Sequence, residues 1–413
     1  MANASARFLY LCFEGLSKTV FDSQVVGFLR FMALRGVVFD LLLFEGLRSA
    51  FRNRSWTAKR LGELRGAWGG KICYIPFGPK YEFPLAACVF LLALAPDLIR
   101  GRRLILHCRG YYSAVLAGVL KKLSRRLFFV YDVRGDNEAE FLYRTSPGGR
   151  LRSLRMKLEL QLLRRAEGLA LREADQILCV SSALKARLKE RWGLEEKAIL
   201  VIPTCADAKL FRFDERLRQS IRRDLGLDKR LVVIYSGSMY RWQLIDKIVE
   251  IARSLLESFS DLHVLCLTPH LAEAASSLAK GLPLGSYTLL HVPHAEMPGY
   301  LMAGDIGILI REDHPLNQVA CPTKFAEYIM CGLPVFMTEG VGDLSPLVEK
   351  EKLGIVIKDL SGLGPCRESL IALLQEASSP DWKARCARIG REWFAWDRYA
   401  PLLRDIYGKA ASP

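Results

Sequence analysis

Residues 321–336 run Cys321-Pro322-Thr323-Lys324-Phe325-Ala326-Glu327-Tyr328-Ile329-Met330-Cys331-Gly332-Leu333-Pro334-Val335-Phe336. They read as a loop, a short helix over Thr323–Cys331, a Gly-Leu-Pro turn and a buried strand over Pro334–Met337. Pro322 suits the first helical turn, where the amide that proline lacks would go unpaired anyway. Gly332 stops the helix and Pro334 prevents its resuming. Lys324 and Glu327 stand three apart, so they share one face near the positive end of the helix dipole. A cation and a carboxylate held there suit a phosphate beside a hydroxyl-rich sugar. An ordinary surface ion pair capping a short helix is the alternative reading.

Outward from this segment, short apolar runs alternate with longer amphipathic ones, the pattern of parallel sheets covered by helices. In the first half the spacing predicts strands at Phe8–Phe13, Val37–Phe44, Lys71–Ile75, Arg103–Cys108, Leu127–Tyr131, Gln176–Val180 and Ala198–Ile202. Helices are expected between them at Asp22–Arg35, Pro84–Leu94, Tyr112–Leu123, Arg150–Glu173 and Ser182–Trp192. In the second half strands fit Leu231–Tyr235, His263–Thr268, Tyr287–His291, Asp305–Ile310, Pro334–Met337 and Gly354–Ile357. Helices fit Trp242–Phe259, Ala272–Lys280, Glu296–Ala303, Thr323–Cys331 and Cys366–Glu376. The fold class is α/β, with two successive units each long enough to be a doubly wound, Rossmann-like domain. The boundary is expected near Pro203-Thr204-Cys205-Ala206-Asp207, and the tail Pro380–Tyr407 reads as helices.

A chain of 413 residues exceeds what one hydrophobic core supports, in line with two domains. The net charge of +15 favours phosphorylated substrates, anionic lipid surfaces or nucleic acid. The eleven cysteines are scattered, mostly within apolar runs, and no Cys-x-x-Cys occurs. They read as buried free thiols in a reducing compartment, not as a disulfide framework or zinc site. His291 and His294 lie three apart with no further ligand cluster in the sequence, so no metal is proposed. The N-terminus lacks a cleavable signal pattern, and the apolar run Phe83–Pro96 is shorter than the ~20 residues a membrane span needs. A cytoplasmic location is expected, with peripheral contact at the inner face of the cell membrane.

The 321–336 segment resembles the donor site of GT-B glycosyltransferases, in particular the retaining "glycosyl transferases group 1", family 4-like. The resemblance implies two Rossmann-like domains facing a cleft: 1–205 for the acceptor, 206–385 for the nucleotide sugar, and C-terminal helices over 386–413 crossing back to the first domain. The glutamate before the Gly-x-Pro-Val turn, which grips the ribose in that family, is Glu327 here. The family's second glutamate, eight positions earlier, is replaced by Val319, with Asn317 and Gln318 beside it. Thr323 and Asn317 are therefore expected to contact the donor.

Four further stretches match in order. Tyr235-Ser236-Gly237-Ser238-Met239-Tyr240-Arg241-Trp242-Gln243 follows a strand and opens a helix, so Gly237 and Ser238 let backbone amides approach a pyrophosphate. The family sets an arginine and a lysine on the phosphates where Ser238 and Gln243 stand. Arg241 and Lys324 are expected to take over that task. Val201–Phe211 resembles the segment at the domain junction, and Ala174–Ser182 the strand that leads into the last helix of the first domain, with Ser181 or Ser182 as its N-cap. In Gly304–Ile310, Asp305 reads as a helix–strand junction group rather than a catalyst.

Two Arg-Gly pairs follow strands in the first half, in His107-Cys108-Arg109-Gly110 and Asp132-Val133-Arg134-Gly135-Asp136. Ligands of open α/β sheets lie beyond the carboxyl ends of strands, so both pairs are expected at the cleft. Arg134, Lys324 and Arg241 are the catalytic candidates, and Arg109, Asp136 and His107 the substrate-binding ones. A loop pairing of Arg134 with Asp136 is the alternative.

Arg150, Arg152, Arg155, Lys157, Arg164 and Arg165 share one expected helix with Leu151, Leu154, Leu158, Leu162 and Leu163. Such a helix lies on anionic lipid or covers a core with a solvated basic face. The resemblance implies a glycosyltransferase taking a UDP- or GDP-sugar, without metal, to a saccharide or lipid-linked saccharide in polysaccharide or glycolipid biosynthesis. A nucleotide-sugar epimerase, a catalytically silent GT-B subunit and a nucleic-acid-binding protein remain alternatives. The last lacks an interleaved basic–aromatic motif, and no nucleic-acid partner is expected.

Overall fold

The computed structural model describes residues 6–17, 20–145, 150–194, 199–358, 360, 363–377 and 379–411. Lys18, Thr19 and Ala198 lie outside them, as do the side chains of Arg150, Leu151, Arg152 and Cys366. The chain forms two compact units. One runs to Pro203 and includes the segment from Tyr399 onward; the other is Thr204–Arg398.

The first unit carries strands β1 (Arg7–Cys12), β2 (Asp40–Phe44), β3 (Ile72–Ile75), β4 (Leu104–Arg109), β5 (Leu127–Val133), β6 (Gln176–Cys179) and β7 (Ile199–Val201). They form one parallel sheet in the order β3-β2-β1-β4-β5-β6-β7. The order reverses between β1 and β4, which opens a crevice at their carboxyl ends. Leu9–Cys12 of β1 and the whole of β4 are buried, as strands covered on two faces are. The expected helix at Asp22–Arg35 is a π-turn, Phe21–Val26, running into Gly27–Ala33.

The second unit carries β8 (Leu231–Ser236), β9 (Leu262–Leu267), β10 (Tyr287–Leu290), β11 (Ile306–Leu309), β12 (Val335–Thr338) and β13 (Gly354–Ile357). These are also parallel, in the order β10-β9-β8-β11-β12-β13, with the reversal between β8 and β11. The helix Thr323–Met330 lies against β11 because Gly307 has no side chain: a Cβ there would sit 2.4 Å from the Tyr328 ring. The Tyr328 hydroxyl in turn accepts a hydrogen bond from the Ser236 amide at 2.7 Å, tying that helix to the end of β8.

Several polar helices were not foreseen, among them Arg54–Leu64, Asn137–Arg144, Glu215–Asp224 and Leu344–Glu351. Two of them are started by aspartates that cap their first amides, Asp136 for Asn137–Arg144 and Asp214 for Glu215–Asp224. Ser181 caps Ser182–Trp192 in the same way. Cys73 and Cys88 are exposed rather than buried, Cys88 because the apolar helix Phe83–Ile99 turns part of its surface outward.

Candidate functional site

At the carboxyl ends of β8 and β11 the second unit gathers positive charge. Lys324, in the first turn of the helix Thr323–Met330, is 7% exposed. Its Nζ donates to Gln243 Oε1 at 3.1 Å and lies 4.1 Å from the centre of the Tyr235 ring. Gly237 follows β8 with φ +132°, and a Cβ there would come within 3.0 Å of the same Nζ. Burial, reinforced by the charge of Arg311, pushes the Lys324 amine well below its ordinary value. Arg311 itself is lowered to about 10 by burial.

Arg311 stands two residues past the end of β11, and the sequence reading passed over it. Its backbone amide donates to Thr338 Oγ1 at 3.0 Å, and its carbonyl accepts from that hydroxyl at 3.2 Å. Its Nε is buried with no hydrogen-bond partner among the described residues. The signal available in the sequence was position alone: an arginine just beyond an apolar strand that proves to lie at the reversal of the sheet.

Of the expected donor contacts, Glu327 is 8% exposed, with Oε1 3.6 Å from His294 Nε2. Asn317 is buried; its Nδ2 donates to the Glu312 carbonyl at 2.8 Å, and its Oδ1 lies 3.5 Å from Arg311 Nη1. Thr323 opens the helix and Ser238 offers its carbonyl to the Tyr235 hydroxyl. Arg241 is exposed on the 3-10 turn Arg241–Gln243, whose Gln243 is the residue that meets Lys324. Asp305 accepts from Arg218 Nη2 at 2.6 Å and from the Val232 amide at 2.8 Å, a junction group as expected.

In the first unit a separate polar cluster occupies the reversal between β1 and β4. Arg109 Nε donates to Glu14 Oε1 at 2.8 Å, and its Nη1 is 3.8 Å from Asp132 Oδ2. Arg134 Nε donates to Asp132 Oδ2 at 2.8 Å, so its loop partner is Asp132. Burial alone would raise the Asp132 carboxyl, but Arg134, His107 and Arg109 hold it well below the carboxylate range. His107 is enclosed: it stacks on Tyr10 at 4.6 Å, its Nδ1 is 2.5 Å from the Tyr407 hydroxyl, and burial lowers its pKa. Asp136 is occupied twice over, by the two amides it caps and by Arg191 at 2.9 and 3.0 Å. Of this set Arg109 Nη1, Glu14 Oε2 and the Tyr10 hydroxyl are buried without a hydrogen-bond partner among the described residues. Tyr10 carries no signal of this in the sequence, and Glu14 is marked there only as the start of a loop, Glu14–Thr19, expected to face the acceptor.

Two doubly wound parallel sheets of seven and six strands define the GT-B class of α/β protein. Residues 28–210 match the profile of Glycosyltransferase Family 4. A D-inositol 3-phosphate glycosyltransferase from Nocardiopsis dassonvillei is 23% identical over 264 residues, covering 60% of this chain and 59% of the relative, less than two thirds of its length. Among solved structures, Anabaena HepE in complex with UDP and glucose superposes with a TM-score of 0.70 at 14% identity, over 98% of this chain and all of the other. Sucrose-phosphate synthase from Thermosynechococcus elongatus gives 0.66 at 17% identity, over 92% of each chain.

Proposed function

We propose that this protein transfers a sugar from a nucleotide-sugar donor to a saccharide or lipid-linked saccharide acceptor. The observation that carries the reading is the burial of both Lys324 and Glu327, three residues apart on the helix Thr323–Met330, beside the side-chain-free turn at Gly237. A cation there meets phosphate and a carboxylate there accepts from ribose hydroxyls. The structural likeness to a protein solved with UDP and glucose supports the same donor class.

In this reading the bond between the anomeric carbon and the diphosphate oxygen breaks, and the acceptor oxygen bonds to that carbon. The leaving nucleoside diphosphate takes the acceptor's proton, so the chief task is to stabilise its developing negative charge. The reaction is retaining and draws on side-chain cations rather than a metal. Thermal stabilisation by UDP, GDP, ADP and CMP, with and without magnesium, tests this. A selective shift with one nucleotide, equal without magnesium and abolished in Glu327→Ala, is the expected result. No shift with any of them would favour a catalytically silent subunit, and a magnesium-dependent shift would refute metal independence.

The acceptor side of the reading includes an anionic membrane surface at the cytoplasmic face. Among the described residues no helix is long and apolar enough to cross a membrane. On the helix Arg150–Glu173, however, Leu154, Leu158 and Leu162 are 68%, 57% and 54% exposed. Arg165 and Arg172, eleven and eighteen residues beyond Leu154, continue the same face. There they line a surface pocket of about 420 Å³ with Arg164, Arg191, Glu138 and Trp192. Leucines flanked by guanidinium groups match acyl chains beneath anionic headgroups. Flotation with vesicles containing phosphatidylglycerol, lost in Leu158→Ser/Leu162→Ser, supports this; equal flotation with neutral vesicles counts against it.

A further inference from the structure

The reversal point of the second sheet holds buried Lys324 and half-buried Arg311, with no carboxylate paired to either among the described residues. Lys324 has a carboxamide and a ring as its neighbours, and Arg311 has one long contact from its Nη1 to Asn317 Oδ1. Among the described residues neither makes an ion pair with an acid. Burying one unpaired charge is costly, and placing a second like charge nearby adds to the cost. Such an arrangement persists where a ligand brings the missing negative charge.

We propose that Arg311, together with Lys324, receives the diphosphate of the donor, the task the sequence reading gave to Arg241 and Lys324; the inference rests on the nucleotide-sugar reading above. Three features support Arg311. It sits at the carboxyl end of β11, beside β8, where ligands of open parallel sheets bind. Its backbone is fixed on both sides by Thr338, and Asn317, anchored to the Glu312 carbonyl, turns its Oδ1 toward the guanidinium. Its Nε is buried and unpartnered, and the planar fork of a guanidinium matches two phosphate oxygens at once. Asn317 is thus a positioning residue that acts through Arg311. Arg241 is exposed, and its turn contributes the neutral Gln243 to the site instead.

The test is calorimetric binding of inorganic pyrophosphate and of UDP, GDP, ADP and CMP to the full chain and to Arg311→Gln, Arg311→Lys and Arg241→Gln. Arg311→Gln is expected to weaken pyrophosphate and the preferred nucleotide alike by ~10- to 100-fold, with Arg311→Lys between it and wild type. Arg241→Gln is expected to stay within ~3-fold of wild type, the range of an exposed charge. A folded Arg311→Gln that binds as wild type does, or a loss that follows Arg241 instead, overturns the proposal. Should Arg311→Gln not fold, Arg311→Lys decides: an unchanged pyrophosphate Kd overturns it and a several-fold rise supports it. If wild type binds pyrophosphate but none of the nucleotides, the donor reading fails and the anion site stands. Binding of neither overturns both.

Discussion

Lys324 Nζ lies 3.1 Å from Gln243 Oε1, so the best-buried cation of the candidate donor site is held by a neutral partner. That pairing leaves its protonation state to be decided by burial and by the groups that face it. These are Tyr235 from β8, Cys266 from β9, Arg311 beyond β11 and Glu327 on its own helix. The Cys266 thiol is pushed up to about 12 and Tyr235 well above its ordinary range, both by burial, so neither carries charge at neutral pH.

Donor binding should therefore take up a proton. The Lys324 pKa is lowered in the free protein, and an arriving phosphate favours the charged amine and raises it again. Affinity then falls as pH rises from the lowered value towards the ordinary 10.5. Calorimetry of nucleotide binding in two buffers of different ionisation enthalpy, at a pH between the lowered and the ordinary value, measures this, with net proton uptake expected. Identical heats in both buffers would sink the idea.

Asp305 should be a strong determinant of stability. It is 2% exposed, and Arg218 and Arg222, each 8% exposed, converge on it from the helix Glu215–Asp224. Removing one member of a buried charge network strands the rest at a cost of about 3–5 kcal/mol. Asp305→Ala should lower the urea midpoint of the second unit accordingly, with Asp305→Asn intermediate. Although burial opposes its charge, Arg218, Lys383 and Arg222 hold the Asp305 carboxyl below its ordinary value. Its contribution is therefore present above the ordinary carboxylate range and is lost as pH falls through the lowered value. A loss under ~1 kcal/mol in Asp305→Ala would show the network to be dispensable.

Glu167 has the opposite sign. Burial raises its carboxyl to about 7, while the Asn137 amide donates to Oε1 at 2.7 Å. A carboxyl with a raised pKa binds its proton more tightly folded than unfolded. Stability from this group is full below about 4.5 and is lost as pH rises to about 7. Glu167→Gln keeps the acceptor for Asn137 and should gain on wild type over that window by roughly 2–3 kcal/mol. Denaturant titrations at pH 5 and pH 8 read the difference; parallel changes in the two proteins would refute it.

Much of the architecture was legible because parallel strands buried on both faces must be apolar along their whole length. Each of the thirteen strands among the described residues lies within about three residues of its expected place, and Gly354–Ile357 coincides with it. The polar helices Asn137–Arg144 and Glu215–Asp224 escaped because their apolar content is low and their starts depend on single capping aspartates. At the site, Lys324 and Glu327 were visible because three-residue spacing on one helix is a local relation.

What the chain determined by itself was thus whatever short-range pattern encodes: the strand and helix alternation, the Gly332–Pro334 stop, and the Lys324–Glu327 face. Tertiary structure decided where the arginines stand. Arg311 lies beside β8 because β11 docks there, and Arg241 is exposed on a turn whose Gln243 is buried against Lys324. His107 is enclosed by Tyr407, 300 residues away in the chain. Burial and long-range pairing are properties of the packed sheet, and no residue carries them in its own sequence neighbourhood.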